Sequence, residues 1–188
     1  MDASEIVRST VVHLDDTREL WFYTYSLGKR RLGGVRVYES NAKYSGPTKS
    51  GFDMSLEQIE SLVPTLERLS RDVEHGTVIP PVEYARIPAG LTTEWVIQVI
   101  DRRSDFVGLL LDIRKFVSAE RFTGFTRKGL RIDFERIDTI VENLPAVCES
   151  LRAWRDGRWG LFAEGDSQVE EADDEILESV PDEYRDFF

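Results

Sequence analysis

Two stretches of the sequence place glycine, hydroxyl and basic side chains in the same order. The first runs Tyr44-Ser-Gly-Pro-Thr48-Lys49-Ser-Gly51, and the second runs Phe122-Thr-Gly-Phe-Thr126-Arg127-Lys128-Gly129. Glycine allows close backbone approach, and a Lys or Arg beside exposed amides can hold a phosphate. The spacing differs from that of a nucleoside-triphosphate loop. We therefore predict two phosphate-gripping loops; the alternative is a pair of basic turns without a ligand.

A second pattern pairs an arginine with an aromatic ring, as Arg36 with Tyr38 and Arg114 with Phe116. Side chains alternate between the two faces of a strand, so each pair shares a face. Single-stranded nucleic acid is bound by basic grooves that follow phosphates and by rings that stack on bases. We expect both arginines to point away from the core, so that reversing both charges abolishes single-strand binding and leaves the fold intact.

Both patterns belong to an internal repeat. Residues 35–66 align without a gap onto residues 113–144 at an offset of 78, and nine of the 32 pairs are identical. Average composition would give roughly two identities by chance. A repeat of this length indicates two copies of one supersecondary unit.

The elements around these residues repeat in the same order. Alternation and β-branched or aromatic residues predict strands at 6–14, 19–27, 35–40 and 52–54, and again at 83–88, 94–101, 107–117 and 130–132. Ser55 with Gln58 forms a capping box that opens a helix, and a second helix follows Asp133. Each copy is thus β-β-β-β-α. We expect an α+β fold with a first unit at 1–75, a linker at 76–82, a second unit at 83–160 and a tail at 161–188.

Charge is distributed unevenly along the chain. The net charge is −11, but residues 164–188 hold eleven acids and one base, which leaves 23 bases and 24 acids elsewhere. The tail has the composition of disorder. It ends in aromatic residues that predict a partner-docking tip; the alternative is a solubilising tail. The docking residues are Tyr184, Phe187 and Phe188.

The segment 111–117, Leu-Asp-Ile-Arg-Lys-Phe-Val, followed by Thr126-Arg127-Lys128-Gly129 and an amphipathic helix, resembles the Positive Cofactor Four family of transcriptional coactivators. The first copy resembles it more loosely. The resemblance implies a single-stranded-DNA-binding fold whose two units pair through their helices with curved antiparallel sheets outward, here as an internal pseudo-dimer. The strand tryptophan of that family is replaced by Glu39 and Val117.

The acidic, aromatic-ended tail also looks like those of bacterial and phage single-strand-binding proteins. That likeness implies a tail that recruits replication enzymes and competes with DNA for the basic surface.

The prediction is a largely sequence-independent single-stranded-DNA-binding protein that protects DNA in replication, recombination and repair. The alternatives are a transcriptional coactivator on the same fold and a protein-interaction scaffold without nucleic acid; RNA is a further candidate ligand. Trp21 and Tyr23 either stack on bases or fill the core. The predicted nucleic-acid-binding residues are Lys29, Arg30, Arg31, Arg36, Tyr38, Lys43, Tyr44, Thr48, Lys49, Arg114, Phe116, Arg121, Phe122, Thr126, Arg127 and Lys128.

Other chemistry receives little support. Two histidines, His13 and His75, form no recurring catalytic set, so we expect no enzyme, no metal site and no cofactor. The single cysteine, Cys148, is expected to be a buried helical thiol. No apolar run is long enough to span a membrane, and the N-terminus lacks signal-peptide features. We expect a cytoplasmic, nucleoid-associated location. A homo-oligomer of this chain is a further possibility that the sequence leaves open.

Overall fold

The structure is a computed structural model that describes residues 6–27, 30–101 and 108–157. The predicted docking residues Tyr184, Phe187 and Phe188 and the predicted base Lys29 lie outside them. The first half comprises β1 (Ile6–His13), β2 (Arg18–Leu27), β3 (Arg30–Ser40), β4 (Ser45–Met54) and α1 (Leu56–Glu74). The second half comprises β5 (Val82–Pro88), β6 (Thr93–Asp101), β7 (Leu109–Ala119), β8 (Phe122–Asp133), a 3-10 turn (Phe134–Arg136) and α2 (Ile137–Arg155).

The eight strands form one sheet in the order β1-β2-β3-β4-β8-β7-β6-β5. Within each half the neighbours are antiparallel. The halves meet where Ser50 and Gly51 of β4 pair in parallel with Gly129 of β8, a junction that we call the seam. The α+β class with an eight-stranded sheet and two helices is therefore established.

The helices follow from local sequence signals. The Ser55 hydroxyl accepts the Gln58 amide while the Gln58 side chain accepts the Ser55 amide, which confirms the predicted capping box. The apolar stripe of α1 is buried at Leu56, Ile59, Leu62, Leu66 and Leu69. In α2 the corresponding buried positions include Ile137, Ile140, Leu144, Val147 and Leu151. Cys148 is also buried, as predicted, and both helices continue through their internal prolines.

Each helix packs against strands of the other half. Helix α2 lies on β1, β2 and β3, where Gly33 approaches Val147 and Leu151. Helix α1 contacts β5, and the Gln58 side-chain amide donates to the Pro88 carbonyl at 3.1 Å. The two helices also contact each other, and the buried apolar residues of both halves form one core. Neither half therefore buries its apolar surface alone.

Two sequence-based expectations were wrong. The third strand was predicted over 35–40, but β3 begins at Arg30, and residues 30–34 pair with β2. The two phosphate-gripping loops were predicted at 44–51 and 122–129, but these stretches are strand, with only Tyr44 preceding β4. Pairing with β3 and β7 satisfies most of their backbone groups, and glycine and proline in the sequence hide this. None of the described helices has the length and apolarity needed to cross a membrane.

Candidate nucleic-acid interface

Both motif stretches carry the same bulge. The register runs Arg36↔Gly51 and then Tyr38↔Pro47 in the first half, and Arg114↔Gly129 and then Phe116↔Phe125 in the second. Residues 48–50 of β4 are thus opposed by Val37 alone, and residues 126–128 of β8 by Lys115 alone. Bulges re-aim side chains, and here they present the exposed bases Lys49 and Arg127.

A threonine closes each bulge. The Thr48 hydroxyl donates to the Val37 carbonyl at 2.9 Å and accepts the Ser50 amide at 3.1 Å. In the second half, the Thr126 hydroxyl donates to the Lys115 carbonyl at 3.0 Å and accepts the Lys128 amide at 3.2 Å. Both predicted binding threonines therefore stabilise the backbone that positions their basic neighbours.

An exposed ring stands at the tip of each hairpin. Tyr44 is 47% exposed and Phe122 is 51% exposed. Each ring lies over the glycine two residues further on, so that a Cβ on Gly46 or Gly124 would fall 2.9 Å or 3.4 Å from the nearest ring-side atom. An exposed basic residue, Lys43 or Arg121, precedes each ring. Because β4 and β8 are parallel at the seam, both tips lie at the same end of the sheet.

On the face away from the helices, Arg36 is held by protein groups. Its Nε donates to the Tyr23 hydroxyl at 3.0 Å, its Nη1 to the Thr48 carbonyl at 3.2 Å and its Nη2 to Asp53 Oδ2 at 2.7 Å. Burial by itself would lower the pKa of Arg36, but Tyr23 and Asp53 raise it, so the guanidinium stays charged. Arg36 has the predicted orientation but spends most of its donors inside the protein.

The aromatic residues of this face in the first half divide into two groups. The rings of Trp21 and Tyr38 stack with centroids 4.1 Å apart and planes 5° from parallel, and the Arg8 guanidinium lies 4.4 Å from the Trp21 centroid. Tyr23 and Tyr25 are buried. Trp21 is half-buried and its ring is already in contact with Tyr38 and Arg8, whereas Tyr23 belongs to the packed layer around Arg36.

The second half repeats the aromatic and cationic grouping with different residues. Phe116 meets Phe125 edge to face with centroids 5.2 Å apart. The Arg86 guanidinium lies 4.9 Å from the Phe116 centroid and is itself bonded to Glu83 and Glu94. A cation over a ring therefore occurs in both halves, with the cation supplied by an edge strand.

The charges around Arg36 in the first half differ from those around Arg114, its repeat partner in the second half. In the second half Asp112 is 1% exposed. Its Oδ1 lies 3.3 Å from Arg114 Nη2 and accepts Arg131 Nε at 3.3 Å, and its Oδ2 accepts Arg131 Nη2 at 3.0 Å and Gln98 Nε2 at 2.8 Å. At the repeat offset, Asp112 matches Gly34 and Arg131 matches Asp53.

The sequence-predicted residues are thus distributed over the hairpin tips, the bulges and the outward face. Arg30 is exposed and Arg31 is half-buried on β3, near the start of that strand. Sequence reasoning missed Arg8, Phe125 and Arg131. Phe125 falls at a repeat position occupied by Pro47, and Arg131 at one occupied by Asp53, so neither belongs to the chemistry that the two copies share. Arg8 lies outside the aligned repeat.

Within the described ranges, no group of three or more His, Cys, Asp or Glu side chains could hold a metal ion. Compared with known proteins, the sequence matches no family model and no curated protein.

Proposed function

We propose that this protein binds single-stranded nucleic acid, with DNA as the expected ligand, through the hairpin tips, the bulges and the outward face of the sheet. The two halves act as an internal pseudo-dimer of β-β-β-β-α units in this proposal. One observation carries this proposal. At the offset of 78, each half has an exposed ring that is preceded by a basic residue and followed by a bulge that presents another basic residue.

The arrangement suits a single strand better than a duplex. Bases of a single strand are unpaired, so Tyr44 and Phe122 can stack on them, and each stacked base contributes roughly 1–3 kcal/mol. Lys43 and Arg121 immediately precede these rings, and Lys49 and Arg127 lie on β4 and β8. All four basic side chains would contact phosphates. Stacking and phosphate contact are both tolerant of sequence, so the binding has little sequence preference.

Two features of the packing support a fixed binding surface. Thr48 and Thr126 hold both bulges, and the rings at the tips lie on glycine. Arg36 on β3 and Arg114 on β7 each form an ion pair with a carboxylate. The surface is consequently ordered before a ligand arrives, which reduces the entropy cost of binding.

The tail belongs to the same proposal. The tail has a net charge of −10 and would compete with the nucleic acid for the exposed Lys and Arg side chains. Its terminal aromatic residues would dock a replication or repair protein. Deleting residues 164–188 should therefore tighten binding to the nucleic acid.

Fluorescence anisotropy with labelled oligo-dT, the matching RNA oligomer and duplex DNA across a salt series tests the function. We expect oligo-dT to bind more tightly than duplex DNA, with an affinity that falls linearly with salt on logarithmic axes because counterions are released. Equal binding of duplex and single strand, or an affinity independent of salt, contradicts the proposal. Preference for a melted bubble over plain oligo-dT would instead assign the surface to transcription.

A further inference from the structure

The two halves differ in the charged groups that surround Arg36 in the first half and Arg114 in the second. In the first half Arg36 faces Asp53, so one cation meets one carboxylate. In the second half Arg114 and Arg131 share the single carboxylate of Asp112. Two guanidiniums therefore share one carboxylate at Asp112, whereas one guanidinium meets one carboxylate at Asp53.

Exposure follows the same asymmetry. The side chain of Arg36 is 15% exposed, whereas those of Arg114 and Arg131 are 29% and 43% exposed. Asp112 lies beneath them and also accepts the Gln98 amide. A buried carboxylate that orients two guanidiniums from below leaves their outer edges toward solvent, which is a geometry suited to an anion with several oxygens.

Gly129 lies on β8 between the positions of the two arginines and pairs with Arg114. A Cβ built on it would lie 2.4 Å from the Ile113 carbonyl oxygen and 2.8 Å from the Arg114 Cα, so β7 and β8 approach too closely here for a side chain. Arg131 also lines an open cleft of ≈ 480 Å³ beside the seam. The charged residues of this cleft are three arginines and two acids, Arg18, Arg131, Arg136, Glu39 and Asp133, and its hydroxyl residues are Thr48 and Ser50.

We propose that Arg131, with Arg114, forms a phosphate-binding site beside the seam that the first half lacks, and that it holds one backbone phosphate of the strand as it passes between the halves. This inference rests on the proposed function. Asp112 is the positioning residue of the site. The two halves are therefore unequal: both bind through a ring and its neighbouring basic side chains, and the second adds this phosphate contact.

The test compares R131Q with R71Q, which removes the same charge from the exposed face of α1. The probe is labelled oligo-dT across a salt series. A single phosphate contact contributes about 0.7 to the slope of log K against log salt on single strands. We expect R131Q to lower that slope by about 0.7 and to weaken binding severalfold at low salt, whereas R131K and R71Q keep the slope of the unchanged protein.

The outcomes separate the two proposals. An unchanged slope for R131Q, in a protein that still binds oligo-dT, overturns the site at Arg131 and leaves single-strand binding standing. Absence of salt-dependent binding by the unchanged protein overturns the proposed function itself.

A second measurement does not depend on the folding of a variant. Phenylglyoxal, which modifies accessible arginines, is applied to the unchanged chain with and without oligo-dT and read by mass spectrometry. We expect oligo-dT to protect Arg131 and not Arg71. Equal modification of Arg131 in both samples overturns the site.

Discussion

Arg36 and Asp53 form an ion pair with Nη2 2.7 Å from Oδ2, and both side chains are more than four-fifths buried. Tyr23 completes the cluster by accepting from Arg36 and donating to Asp53. An arginine chosen by its place in a repeat as a ligand-binding group thus also holds three strands together. The expectation that its charge can be reversed without affecting the fold therefore needs revision.

Substitution R36M should destabilise the protein. It leaves Asp53 and the Tyr23 hydroxyl without their cationic donor, and hydrogen bonds to charged groups contribute about 1.5–3 kcal/mol. We expect a loss of that size in the free energy of unfolding, measured by urea denaturation. The exposed Arg30 supplies the control, because R30M should change stability by less than about 0.5 kcal/mol. Equal midpoints for R36M and the unchanged protein would show that the cluster is not structural.

Removal of the two tip rings should weaken single-strand binding without unfolding the protein. In Y44A/F122A the side chains lost are about half exposed, so the core is unaffected. Each lost stacked base should cost about 1–3 kcal/mol, or about 5- to 150-fold in Kd for oligo-dT. L91A, which truncates a fully exposed apolar side chain, is the control. If the double variant and the control bind alike, the rings are not the stacking platform.

The packing of α2 on the first half can be tested at Gly33 and Val147. A Cβ added at Gly33 would lie 2.3 Å from Val147 Cγ1. We expect G33A to cost about 1–3 kcal/mol through overpacking. V147A alone should also destabilise, because it removes buried methyl groups.

In G33A/V147A the clashing atom is absent, so the combined loss should be smaller than the sum of the single losses by about 1 kcal/mol or more. Urea unfolding of the four proteins measures this coupling. If the losses in the free energy of unfolding are additive, Val147 of α2 does not pack against Gly33 of β3.

Stability should decline at alkaline pH through the buried tyrosines. Burial, reinforced by Asp53, raises the pKa of Tyr23 and of Tyr25 above the ordinary value of about 10. Below pH 10 both are protonated in the folded and unfolded chains, so they produce no pH dependence. Above pH 10 the unfolded chain releases protons that the folded chain retains, and the free energy of unfolding therefore falls as pH rises.

Absorbance at 295 nm measures this directly. In the native protein part of the tyrosine signal should develop only at a higher pH than in urea. Y23F should make the alkaline decline in stability shallower. Superimposable native and denatured titrations would contradict the burial of these hydroxyls.

The sequence by itself determined the repeat, the order of strands and helices, the capping box and the apolar stripes, because each depends on side chains close together in the chain. It also placed Arg36 and Arg114 on the outward face, since alternation along a strand is a local property. It failed at the stretches 44–51 and 122–129, where glycine, proline and serine disguise strands whose pairing partners lie elsewhere.

Only the tertiary structure decided that each helix covers strands of the other half, that β4 and β8 meet at a seam of glycines, and that the carboxylate moves from Asp53 in one half to Asp112 in the other. These relationships join residues far apart in the chain. They depend on which apolar faces can be buried together and on which buried charges then find partners, and neither is written in a local pattern.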